Sequence, residues 1–334
     1  MSRLTVLMPV YNCEQYVGEA IESILNQTFS DFDLLIIDDG STDRSSEIVH
    51  HYAQQDSRIQ LLHNGSNIGL SQTLNKGLEI INTEIIARMD ADDISHPERL
   101  ALQYDYMQKN PDVAMCSAHF QYFGDIKGTA HLPITQSELG VNLFWSCSIL
   151  NGCTVLRKNQ LIAWFKEEYR YAEDYAMQIE NFPYVKMANI DRVLYYYRVK
   201  THNTTVVHKK SLLNVHKQAR KILLRKLGIE VNAKALTLFH DMAEGNMVFD
   251  LSAIASIAGI VQMIIERNQD QLLFDQKTLE KQMKNRLFKC FFFSSRYGMP
   301  VYQLYKPLSL NLKEDITIKK KVELYVRCLF KIKR

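Results

Sequence analysis

The 334-residue chain lacks most of the signatures that would fix a function at once. Its six cysteines, at 13, 116, 147, 153, 290 and 328, form no CxxC pair and no His/Cys cluster at zinc spacing. That excludes a zinc module and gives no disulfide framework; the thiols read as reduced, in a cytosolic protein. No GxGxxG follows the first apolar run and no GxxxxGK(S/T) occurs, so neither a dinucleotide fold nor a P-loop has support. Long hydrophobic runs are missing too. The longest charge-free apolar stretch, Leu251 to Ile265, has 15 residues and falls short of a membrane span. The opening MSRLTVLMPVYN lacks the apolar region of a signal peptide.

What is present describes an ordinary soluble composition, 46% apolar and 23% charged, with length enough for two domains. The net charge of +3 is unevenly spread. Lys209 to Gly228 carries seven basic residues and no acid, and Asn311 to Arg334 carries eight basic and three acidic. Those segments hold +7 and +5, which leaves the rest of the chain at −9.

Up to about residue 125 the pattern alternates between two periods. LTVLMPV, DLLIIDD, IQLLHN, EIIARMD and VAMCSAHF are short runs rich in Val, Ile and Leu. Between them lie helical spacings such as Val17, Ala20, Ile21, Ile24 and Leu25. Asn12 with Gln15, and Ser95 with Glu98, have the form of helix-capping pairs. Strand–helix–strand units of this size predict an α/β fold with a mainly parallel sheet flanked by helices. A helical C-terminal region follows from a boundary near residue 205. In its first helix Leu212, Val215, Ala219, Ile222 and Leu223 line one face, with Lys217, Arg220, Lys221 and Arg225 on the others.

In an open parallel sheet, ligands bind beyond the carboxyl ends of the strands. Four such ends here, PVYN, DDGSTD, HNGSNIG and DADD, are rich in carboxylates and amides. Asp90, Asp92 and Asp93 fall within four residues. Two carboxylates about 6 Å apart repel by roughly 3 kcal/mol at an effective dielectric of 20. A hard divalent cation removes that repulsion, and magnesium is commonly held by one or two carboxylates together with substrate phosphates. The cluster therefore predicts a phosphorylated ligand. Asp39, at a neighbouring strand end, could accept a hydrogen from the ring N–H of a uracil-like base.

Five segments in order, VLMPVYNCEQYVGEAIESILNQTF, LLIIDDGSTD, NIGLSQTLNKGL, ARMDADDISHPERL and AEDYAMQI, resemble the inverting glycosyltransferases of family 2, which have the GT-A fold. The resemblance covers roughly residues 3 to 200. It implies that Pro9, Tyr11 and Asp39 hold the nucleotide base and that Asn67 and Asn75 contact the donor. It further implies that Asp90 and Asp92 bind ribose and a Mn2+ or Mg2+ ion clamping the diphosphate, with Asp93 in the same metal cluster. Asp174, the aspartate of Glu173-Asp174, would be the catalytic base. His202, in YYYRVKTHNTT, is a further metal-side candidate. The chain departs from the family where Leu74-Asn75 replaces a common Arg-Asn pair, so phosphate contacts would fall to Asn75 or Lys76.

The resemblance implies a metal-dependent transferase. It would move a sugar, with inversion, from a UDP-type donor to a hydroxyl of a glycan or lipid-linked acceptor in bacterial surface-polysaccharide or lipopolysaccharide synthesis. An alternative is a nucleotidyltransferase making sugar nucleotides. That chemistry wants a Gly-rich, Lys/Arg-bearing loop after the first strand, which VYNCEQYV lacks. A non-catalytic nucleotide-sugar binder is the other alternative. The basic last third, with its aromatic LFKCFFFSSRYGMPVYQLY, suits an anionic membrane surface. The expected location is cytoplasmic and peripheral on the inner membrane face. Nucleic acid is not an expected partner, because the body is acidic and no recognition motif is present.

Overall fold

The computed structural model describes residues 2–200, 208–311 and 316–332. The chain divides into two compact units, Met1–Leu139 with Cys147–Val215 and Gly140–Ser146 with His216–Arg334.

The first unit is organised by a sheet whose early strands are the predicted apolar runs. β1 (Leu4–Val10), β2 (Phe32–Asp38), β3 (Ile59–His63) and β4 (Ile85–Arg88) form a parallel set in the order β3-β2-β1-β4. Every residue of β1 is buried, as a central strand covered on both faces requires. The sheet continues through β8 (Val155–Arg157), β6 (Val113–Gly124), β9 (Lys186–Val199) and the short β5 (Ile94–Ser95), with β7 (Gly128–Ala130) beside β6. This half is mixed: β8 runs antiparallel to both β4 and β6, while β6 and β9 are parallel. Strands antiparallel to a common neighbour share a direction. The carboxyl end of β9 therefore emerges on the same side as those of β1, β2 and β4.

Helices α1 (Val17–Leu25), α2 (Ser45–Gln55), α3 (Leu70–Ile80) and α4 (Arg99–Lys109) alternate with these strands; α5 (Gln136–Asn142) and α6 (Glu173–Asn181) follow. The helical spacing in α1 is reproduced, with Val17, Ala20, Ile21 and Ile24 buried. The two expected capping pairs do not cap. α1 starts after Tyr16 and α4 after Glu98, neither with a side-chain cap. Asn12 instead adopts φ 48° and accepts from the Thr42 N–H at 2.8 Å. Ser95 pairs with Tyr195 in the sheet, and its N–H donates to Ser23. Tertiary partners outcompeted local caps at both places.

The second unit is helical, comprising most of α7 (Lys209–Lys226) followed by α8 (Ala233–Ala243), α9 (Leu251–Gln271), α10 (Gln276–Phe293), α11 (Met299–Asn311) and α12 (Ile318–Leu329). Among the described residues, no helix is long and apolar enough to cross a membrane. Val215, Ala219 and Leu223 of α7 are buried as the pattern predicts. Arg220, expected at the surface, is fully buried. Its guanidinium donates to the carbonyls of Phe144 and Trp145 at 2.9 and 2.8 Å and to Glu244 at 2.6 Å. Burial alone would raise the Glu244 carboxyl, but bonds from His216 and Arg220 outweigh it and hold the pKa at about 2. A paired, fully bonded arginine can occupy a core where a lone one cannot.

Candidate active site

The parallel strand ends meet as a zipped pair of loops. After β1, the Asn12 N–H donates to Ser41 and the Cys13 N–H to Ser45. The Glu14 N–H donates to Asp43, whose loop returns a bond from the Arg44 N–H to Glu14. Pro9 is buried in β1 opposite Ile37, whereas Tyr11 just beyond it is 46% exposed. Gly40 has φ 72°, and a Cβ there would sit 2.8 Å from the Asn67 nitrogen. That close approach fixes glycine at the turn. It also sets exposed Asn67 beside the DDG loop.

Asp39 is buried and accepts three hydrogen bonds. Asn64 Nδ2 and the Ile68 N–H reach Oδ1 at 2.8 and 2.9 Å, and the Gly69 N–H reaches Oδ2 at 2.9 Å. The carboxylate thus holds the N-terminal end of α3, where negative charge is favoured. A carboxylate has about four acceptor positions, so among the described residues one on Oδ2 remains. Lys76 reaches Asn64 Oδ1 at 2.7 Å, which extends the chain Asp39–Asn64–Lys76. Asn75, expected at the donor phosphates, exchanges bonds with the Phe165 backbone through both ends of its amide. Its observed task is to tie α3 to the 165 loop.

The three aspartates after β4 diverge. Arg88, buried in β4, forms an ion pair with Asp90. Asp92 approaches Lys200 Nζ at 3.5 Å and keeps 34% of its side-chain surface open. Asp93 is buried, accepts the Arg198 N–H at 2.7 Å and bonds the Tyr195 hydroxyl. Arg198 and Lys200 arrive on the carboxyl end of β9. Burial, and then the charge of Asp90, push the Asp92 and Asp93 carboxyls above the ordinary range, Asp93 the further.

Among the described residues, no group of three His, Cys, Asp or Glu side chains converges to hold a metal ion. The expected protein cage of all three aspartates is therefore not formed. Asp93 fits a ligand role poorly, because its carboxyl is enclosed and engaged. Asp92, a third open and facing only Lys200, fits an ion held jointly with a diphosphate. His202 lies outside the described residues.

The other acidic motif opens α6. Glu173 is buried, and burial followed by the charge of Asp174 raises its pKa to about 7, with Arg88 opposing. Cys147 Sγ lies 3.7 Å from Asp174 Oδ2, and burial, then the charge of that carboxylate, pushes the thiol well up. Arg88 therefore sits within the field of both acidic motifs, touching Asp90 and stabilising the charge of Glu173.

Three residues essential to this arrangement escaped sequence reasoning. Arg88 is the lone cation of the apolar run EIIARMD, two residues before Asp90, and that placement is its signal. Arg99 is fully buried and donates to the carbonyls of Arg88 and Gly152 at 3.2 and 3.1 Å. A Cβ at Gly152 would fall onto Asp90 Oδ2 and the Tyr195 hydroxyl, so any other residue must displace those side chains. Nothing local to LNGC announces that contact.

Comparison with known proteins agrees with this architecture. Residues 5–163 match the family model "Glycosyl transferase family 2". An uncharacterized glycosyltransferase of Haemophilus influenzae is 31% identical over 187 residues, spanning 56% of this chain and 68% of the relative. Another from the same organism is 28% identical and spans 73% and 82%. Among solved structures, S. aureus TarS 1–349 superposes with a TM-score of 0.57 at 15% identity, over 97% of this chain and 89% of that one. That protein has been crystallised with UDP and with UDP-GlcNAc. Mannosyltransferase PcManGT from Pyrobaculum calidifontis, in complex with GDP-Man and Mn2+, gives 0.56 at 15% identity, over 88% and 87%.

Proposed function

This chain belongs to glycosyl transferase family 2, and we propose that it moves a glycosyl group from a UDP-type nucleotide sugar to a hydroxyl of a glycan or lipid-linked acceptor, inverting the anomeric centre. The observation that carries this reading is the buried Arg88, ion-paired with Asp90 and within the field of Glu173 in the second acidic motif. One acidic motif would serve a charged leaving group through a divalent ion, and the other an incoming nucleophile.

Tyr11 offers an exposed ring for the base, and the remaining acceptor position on Asp39 Oδ2 suits a ring N–H. Pro9 shapes the strand end beneath them, and Asn67 lines the edge beside Gly40. Asp90 would take the ribose, with Asn75 or Lys76 nearest the α3 side of the donor. Asp92 is the residue to hold Mn2+ or Mg2+; when bound, such an ion neutralises the charge growing on the nucleoside diphosphate. Asp174 takes the proton from the acceptor hydroxyl, a poor nucleophile otherwise. Glu173, with a pKa of about 7, keeps its proton below neutrality and so limits the repulsion Asp174 must bear. One base and attack from the face opposite the leaving group give inversion. Synthesis of a bacterial surface polysaccharide is the setting in keeping with such an acceptor.

Thermal-shift measurements with UDP-, GDP- and dTDP-sugars, each with and without Mn2+, test the donor assignment. A UDP-sugar with Mn2+ should raise the melting temperature most. Absence of any shift from every nucleotide sugar would overturn the proposal.

A further inference from the structure

The second unit presents an apolar surface that its own fold leaves uncovered. In α12, Leu324 and Cys328 are buried, and Tyr325 packs on Tyr302 at 5.0 Å between ring centroids. Ile318, Val322, Tyr325, Val326 and Leu329 recur at helical spacing along the neighbouring face, and all are exposed. Ile318 is 80% and Val322 55% open, and Phe330 extends the stripe at 70%. Single apolar residues scatter over any soluble surface, but a continuous stripe marks an interaction site. Lys319, Lys320, Lys321, Arg327 and Lys331 flank it, with Glu323 the one acid between 318 and 331. Beside the last turn lies a cavity of about 550 Å³, lined by Met247, Val248 and Phe292 and by Arg296 and Arg327. Arg327 stacks on Phe292 at 4.5 Å, and its buried Nε has no hydrogen-bond partner among the described residues.

We propose that this face docks on an anionic phospholipid bilayer. α12 lies in the plane of the interface with its exposed stripe among the acyl chains, and Arg296 and Arg327 take a lipid phosphate. The charge pattern selects this occupant. An apolar helix face bordered by Lys and Arg, with Tyr and Phe at its margin, has the composition of an interfacial helix. A second copy of the chain would bring equal basic borders together, which opposes a symmetric dimer. The inference rests on residues of the second unit and does not depend on the donor chemistry of the first.

Co-sedimentation of the full chain with mixed phosphatidylcholine–phosphatidylglycerol vesicles, against pure phosphatidylcholine, reads the proposal directly. Each basic residue near an anionic surface strengthens binding several-fold, so the mixed vesicles should be preferred by at least about tenfold. That preference should shrink as salt is raised. Lys319→Glu with Lys320→Glu, and separately Val322→Ser with Leu329→Ser, should each weaken binding by about tenfold or more while the melting temperature holds. Equal binding to both vesicle types, binding insensitive to salt, or undiminished binding by both variants would overturn it. So would sedimentation velocity showing a dimer in buffer that the Val322→Ser, Leu329→Ser variant dissolves, because the stripe would then be an interface between copies.

Discussion

Two strand ends, one on either side of β1, carry paired acids and look alike in sequence, yet the fold treats them in opposite ways. At the end of β2, Asp39 accepts three donors from Asn64, Ile68 and Gly69, and Asp38 accepts the Ser41 N–H and faces His63. After β4, Asp92 and Asp93 are held above their ordinary pKa range by burial and by Asp90, with Arg88 as the principal buried compensation. The first cluster builds the loop scaffold, and in the second, burial and mutual repulsion make the charged carboxylates costly. The proposed diphosphate handling is assigned to the second.

That contrast can be broken most severely at Arg88. Arg88→Met leaves Asp90 and Glu173 without their shared buried cation and should cost about 3–5 kcal/mol in urea denaturation. A loss below about 1 kcal/mol would mean that solvent already compensates those carboxylates. Asp39→Asn turns one acceptor into an amide facing N–H donors. It should cost about 2–3 kcal/mol, with the loss appearing as exposure of α3 in hydrogen exchange.

The comparison is sharpened by pH. Glu173 has a folded pKa of about 7 against an ordinary 4.5, so the folded state binds the proton more tightly than the unfolded one. Stability from this group is present below the unfolded value and is lost as pH rises from about 4.5 to 7. Between pH 5 and 8 the wild type should lose about 2 kcal/mol through it. Glu173→Gln should flatten that part of the profile, and an unchanged slope would place the titration elsewhere. Gly152→Ala has the smallest expected effect. Pushing on Asp90 and Tyr195, it should lower turnover about tenfold with under about 2 kcal/mol of destabilisation.

Legibility in the sequence followed the same division. Strands β1, β2 and β4 were visible because burial on both faces writes a continuous apolar run, and α1 because its buried face repeats at helical spacing. The DDG and DADD ends were visible as composition. What each carboxylate does was not, because the partners that separate Asp39 from Asp92 come from residues 25 to 108 positions away. Arg220 was misassigned to the surface for the same reason, since Glu244 and the 144–145 carbonyls are not its neighbours in sequence. The mixed half of the sheet was illegible because β5, β7 and β8 are only two or three residues long. Runs that short leave no periodicity to read.

The central claim is that the two acidic motifs divide the proposed reaction between them, with donor handling on the Asp90–Asp92 side and proton removal at Asp174. Turnover and donor affinity measured together on Asp174→Asn test it most directly. Turnover should fall by about 10²- to 10⁴-fold, while calorimetric binding of the nucleotide sugar stays within about twofold of wild type. Full turnover in that variant, or a loss of donor binding that accounts for the whole loss of rate, would contradict the account.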